Sequence, residues 1–100
     1  MTRPEILQEA IKKYGVESQC DMCIEEMSEL MKALLKLRRE STQTGYQKRR
    51  ENIREEIADV QIMLDQMRII YGDTTDWENL KIKRLKSRLG TVRRKFNEDN

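Results

Sequence analysis

The 100-residue chain contains no histidine, one proline, four glycines and two cysteines, and aromatic residues make up 5% of it. Each shortage removes a class of chemistry or architecture. Without histidine there is no Ser-His-Asp or Cys-His machinery, no HExxH zinc site and no Glu-x-x-His di-iron bundle. Cys20 and Cys23 spell CxxC, yet zinc would need further Cys or His ligands, which the chain lacks. No strand pattern precedes the pair to support thioredoxin-like redox chemistry, so two small thiols on the core side of a helix are expected. No GxxxxGK[ST] loop is present, which excludes phosphate binding of the P-loop kind. No apolar run of 18 residues occurs, so no membrane span is predicted. The opening Met1-Thr2-Arg3-Pro4-Glu5 has no apolar signal core, and a cytoplasmic location is the expectation.

Scarce Pro and Gly, with abundant Leu, Glu, Lys, Arg and Met, predict an all-α fold of one domain spanning residues 1–100. Four helices are marked out by their punctuation. Thr2 caps the first, with Pro4 in its first turn and Glu5 completing a capping box. Ile6, Leu7, Ala10, Ile11 and Tyr14 form its apolar face, and Gly15 ends it. Ser18 is the expected cap of a long second helix that fades near Glu40, followed by a loop over Ser41–Gly45. The third helix is expected from about Arg49 to Tyr71, closed by Gly72. Thr75 and Glu78 form a second capping box, opening a fourth helix that carries Trp77, Leu80, Ile82, Leu85 and Leu89 before Gly90. The tail to Asn100 is expected to fray.

Two central helices of about 20 residues each reach about 30 Å, more than one small chain can cover. An antiparallel pair completed by a homodimer or homotetramer is therefore expected. The third helix also shows a second strip, Ala58, Ile62 and Ile69, open to the first or fourth helix or to another subunit.

At about 100° per residue, Cys20, Ile24, Met27, Met31, Leu34 and Leu35 share one arc of the second helix with Leu30. Along its edge runs the row Met22, Glu26, Glu29, Ala33, Leu37, while Glu25, Ser28, Lys32 and Lys36 take the wet side. In the third helix Ile53, Ile57, Val60, Leu64, Met67 and Tyr71 form the stripe. Beside it runs Asn52, Glu56, Asp59, Met63, Ile70. Charged residues are 38% of the chain, so any one of these acids reads as ordinary surface. Two i, i+3 carboxylate pairs tracking the core in two separate helices do not. Buried acids need a positive charge between them, and all-oxygen donors select Mg²⁺, or Mn²⁺, over zinc or copper. That pattern predicts a metal-dependent catalytic site.

Glu25-Glu26-Met27-Ser28-Glu29, followed by Glu56-Ile57-Ala58-Asp59, resembles the EExxE…ExxD pattern of the MazG-like all-α nucleoside triphosphate pyrophosphohydrolases. The resemblance covers about Ile24 to Tyr71, with Leu30–Glu55 as the variable spacer. It implies an all-α NTP pyrophosphatase-like bundle that holds Mg²⁺ through Glu26, Glu29, Glu56 and Asp59. The implied reaction cleaves a (deoxy)nucleoside triphosphate to the monophosphate and pyrophosphate. Glu25 belongs to the motif with either a water-orienting role or none beyond the surface. Oligomerisation agrees with the same resemblance.

Charge divides unevenly. Through Leu80 there are twelve Lys and Arg against sixteen Asp and Glu; beyond it, eight against two. Lys81, Arg84 and Arg88 fall at i, i+3 and i+7, a row that would grip β- and γ-phosphates if it overhung the acids. Asn79-Leu80-Lys81-Ile82-Lys83-Arg84 loosely resembles the family's basic element and departs from it in detail. A plain solvated face, or a grip on nucleic acid by a non-catalytic helical protein, are the alternatives, though nucleic acid is not the expected partner. Trp77 and Tyr71 are expected in the core, with contact to a base as their other role.

Overall fold

Thr2 Oγ1 accepts the Glu5 backbone N–H at 3.3 Å and starts α1, Arg3–Tyr14. The computed structural model describes residues 1–98, with side chains to Gly90. A single residue separates α1 from α2, Val16–Arg38. That residue, Gly15, has φ 94°, a left-handed value that costs a side-chain-bearing residue free energy, so the chain turns there in one step. Ser18 therefore lies inside α2 and does not cap it; the cap position falls on Gly15, three residues earlier than expected.

Arg39–Thr42 link α2 to α3, Gln43–Tyr71. Thr42 Oγ1 accepts the Gly45 N–H at 3.0 Å, which starts the helix six residues before Arg49 and shortens the expected loop. Gly72, at φ 119°, closes α3. α4 runs Thr75–Glu98. Its start is organised by the residues ahead of Thr75. Asp73 accepts the Thr75 N–H at 3.2 Å, and Thr74 O accepts the Glu78 N–H at 2.9 Å. Gly90 does not stop α4. One glycine inside a helix costs only about 1 kcal/mol, and Arg88 and Leu89 before it and Arg93, Arg94 and Lys95 beyond it are good helix formers. Asp99 and Asn100 of the expected frayed tail lie outside the described residues.

The chain is all-α, 89% helix. α2 and α3 form an antiparallel hairpin, with Gln19 opposite Gln66 near its open end and Glu40 near Arg49 at the linker. α1 leans on both at the open end, where Leu7 is buried and Arg3 pairs with Asp65 at 2.7 Å. Leu7, Pro4 and Ile69 border a small hollow there, so part of the second α3 strip meets α1. Among the described residues, α4 packs against none of the other helices. The radius of gyration, 18.8 Å, reflects this; a compact chain of this length has about 13 Å.

The hairpin seam differs from the expected core. On α2 it is Gln19, Cys23, Glu26, Leu30, Ala33 and Leu37, all buried or half-buried, at alternating spacings of four and three. On α3 it includes Asn52, Glu56, Asp59, Met63, Gln66 and Ile70 with the same spacing. The rows expected beside the core are the seam itself. The greasier arc of α2 is turned about 100° away, and Ile24, Met27, Met31, Leu34 and Leu35 are exposed; on α3 the expected stripe is partly covered, with Val60 buried, Ile53, Leu64 and Met67 half-buried, and Ile57 exposed. Small residues explain the choice: Ala33 and Cys23 let the two backbones approach, while a Met or Leu row would hold them apart. Trp77 and Tyr71 are also exposed, against expectation, because α4 brings nothing back to cover them.

A candidate carboxylate metal centre

Seam position decides what the acids meet. Glu26 comes from the middle of α2, and Glu56 and Asp59 sit one turn apart on α3. One carboxylate oxygen from each lies within 4.8 Å of the others. All three are half-buried. Loss of solvent raises the Glu26 carboxyl above its ordinary range, and the charges of Asp59 and Glu56 add to this. Burial likewise raises Glu56, followed by the charges of Asp59 and Glu29. Two raised acids facing a third describe a pocket short of positive charge.

Glu29 stands at the edge of this group, not within it. Its carboxylate takes Lys32 Nζ at 3.4 Å, yet its charge still reaches Glu26 and Glu56. Glu25 is exposed; its carbonyl accepts the Ser28 hydroxyl at 2.7 Å. Lys81, Arg84 and Arg88 share an open groove of about 620 Å³ with Ser87 on α4. Among the described residues that helix touches neither α2 nor α3, so within one chain the row does not wall the acid cluster. Arg93, Arg94 and Lys95, from the same basic run, have side chains outside the described residues. Another hollow, between Tyr14 and Glu25 at the α1–α2 junction, also misses the cluster. These open hollows and the raised acids Glu26 and Glu56 are in different places. The acids are the candidate centre because three of them converge from two helices, two with raised carboxyls.

The donor set fits a hard divalent cation. Ligands across an octahedral Mg²⁺ stand about 4.2 Å apart, so small rotamer changes would bring three oxygens spread over 4.8 Å into range. Glu29 could join by releasing Lys32, an exposed pair of little energetic weight.

Cys23 is buried and its thiol is pushed up by that burial; Cys20 is half-buried, with its Sγ 3.3 Å from the Tyr71 hydroxyl. Neither joins the acid group. Gln19 and Gln66 are absent from the expected core and site, yet their amides hydrogen-bond at 2.7 Å, buried in the seam. Their heptad spacing with Cys23 and Met63 was the available clue. Compared with known protein families, characterised proteins and solved structures, the chain finds no match in any of the three.

Proposed function

We propose that the protein is a Mg²⁺-dependent pyrophosphohydrolase of the MazG-like kind, cleaving a (deoxy)nucleoside triphosphate to its monophosphate and pyrophosphate. The observation that carries this reading is the meeting of Glu26, Glu56 and Asp59 across two helices, with Glu29 beside them. The motif spacing supplies the reaction; the cluster supplies a reason for the spacing. Glu26, Glu56 and Asp59 would hold the metal, and Glu29 would complete the set. Bound there, Mg²⁺ supplies charge to offset the triphosphate and acidifies a coordinated water. The acids themselves fix the position of the cation on a rigid hairpin. With no histidine in the chain, a carboxylate of this group or the metal itself would manage the water's proton.

A panel of canonical, deoxy and modified triphosphates, assayed for pyrophosphate release with Mg²⁺ and with EDTA, tests the reading. Metal-dependent release with at least one nucleotide is expected. No release from any member sinks it.

A second reading rests on α4. Its row of Lys81, Arg84 and Arg88 is bare of other helices, as a non-catalytic nucleic-acid or interaction module would have it. Salt-sensitive DNA binding with no metal effect and no turnover would select that reading.

A further inference from the structure

Two cysteines remain outside the acid group, and a methionine of α3 meets them across the hairpin. Cys20 and Cys23 stand one turn apart on α2, where i, i+3 neighbours have Cβ atoms about 5–6 Å apart. The charge of Cys20 reaches the Cys23 thiol, so the two sulfurs share one patch. From α3, Met67 presents its thioether to the Cys20 thiol, which donates to it with the sulfurs 3.9 Å apart. The Tyr71 hydroxyl lies 3.3 Å from the same Cys20 sulfur. Cys23 is buried at 4% exposure, while Cys20 and Met67 are half-buried. One sulfur is enclosed and two are within reach of solvent.

A thiol donating to a thioether is a weak hydrogen bond, and it holds the helices together very little. Its geometry also suits a shared ion. With metal–sulfur bonds of about 2.3 Å, two sulfurs on one ion stand about 3.8–4.0 Å apart. The Cys20–Met67 separation falls in that range as it stands. A cation that takes the place of the thiol proton finds the thioether lone pair already turned toward it.

The donor set decides which ion. Structural zinc takes four ligands, and the chain has no third cysteine and no histidine to add to these. Hard Mg²⁺ needs oxygen, which the acids supply and this patch does not. Thiolate and thioether together are soft, polarisable donors that select Cu(I).

We infer that Cys20, Cys23 and Met67 form a soft-metal site that takes one Cu(I) in a three-sulfur shell between α2 and α3. On binding, copper gains bonds to two thiolates and one thioether, and both thiol protons pass to solvent. Copper stays monovalent and no disulfide forms, so no oxidant or reductant is consumed. Tyr71 donates its hydroxyl hydrogen to the Cys20 sulfur and offsets part of the negative charge that two thiolates leave around one monovalent ion. The site uses none of Glu26, Glu29, Glu56 and Asp59, and it stands whether or not the chain hydrolyses nucleotides.

Anaerobic titration of the reduced full chain against bicinchoninate, a coloured Cu(I) chelator, tests the site. Withdrawal of one Cu(I) per chain is expected, with an X-ray absorption shell of three sulfurs at about 2.3 Å. Met67→Leu keeps both thiols and nearly the same side-chain volume. It should reduce the shell to two sulfurs and weaken Cu(I) binding roughly tenfold or more. Cys20→Ser should end competition with the chelator while the helical circular dichroism is kept. A wild-type chain that takes no copper from the chelator overturns the inference. So does a shell with oxygen or nitrogen in place of sulfur, or a Met67→Leu variant that binds as wild type does. One copper per two chains, bridging thiols of separate copies, overturns it as well.

Discussion

Glu26 and Glu56 owe their raised carboxyls first to lost solvent and then to neighbouring charge, so their ionised forms strain the fold at neutral pH. The sign follows from linkage. Below the unfolded value, 4.5, folded and unfolded chains both hold the proton and no penalty exists. As pH rises through the higher folded value the penalty grows. Glu56→Gln should therefore melt higher than wild type at pH 7 in EDTA, and the two curves should converge below pH 4.5. Identical melting at both pH values would remove the electrostatic account. The same variant should lose roughly a hundredfold or more of its turnover, since a ligand is gone. Millimolar Mg²⁺ should raise the wild-type melting point and leave the variant nearly unmoved. Asp65 has the opposite sign. Its hydrogen bond from Arg3 holds it below 3.8, so that contribution is present at neutral pH and fades in acid. With Arg3 largely exposed the pair is worth no more than about 1 kcal/mol.

Between α2 and α3 the buried hydrogen bond from Gln19 Nε2 to Gln66 Oε1 fixes how the helices are aligned along their length. A slip by one heptad would break this hydrogen bond and would separate Glu26 from Glu56 and Asp59. Gln19→Leu or Gln66→Leu alone strands one buried amide and should cost about 1–3 kcal/mol in urea unfolding. Gln19→Leu with Gln66→Leu removes both polar groups and should recover most of that loss. Additive losses in the double variant would show that the amides do not depend on each other. Helix existence and three of the six boundary markers were legible: Thr2, Gly15 and Gly72 act as read. Ser18, Thr75 and Gly90 did not, because each has a neighbour that does the capping first or a helix strong enough to continue.

The whole chain is longer than a packed 100-residue domain because α4 extends from the body without a partner. Small-angle scattering at a concentration where the chain is monomeric should give a radius of gyration near 18.8 Å; a value near 13 Å, that of a compact chain, would mean α4 folds back. An isolated helix is stabilised by little beyond its own propensity, so α4 should exchange its amide hydrogens faster than the α2–α3 seam.

Residue order alone determined the helices, the all-α class and the four acids worth watching, because capping and heptad spacing are local chemistry. Which of two adjacent heptad rows becomes the seam is not local. Both rows on α2 have the right period, and the greasier one reads as the core. Tertiary packing chose the row with Cys23 and Ala33, where backbones can approach, and so placed Glu26, Glu56 and Asp59 between the helices. The same choice left the apolar row bare and kept the basic row of α4 away from the acids, outcomes that depend on how whole helices fit together.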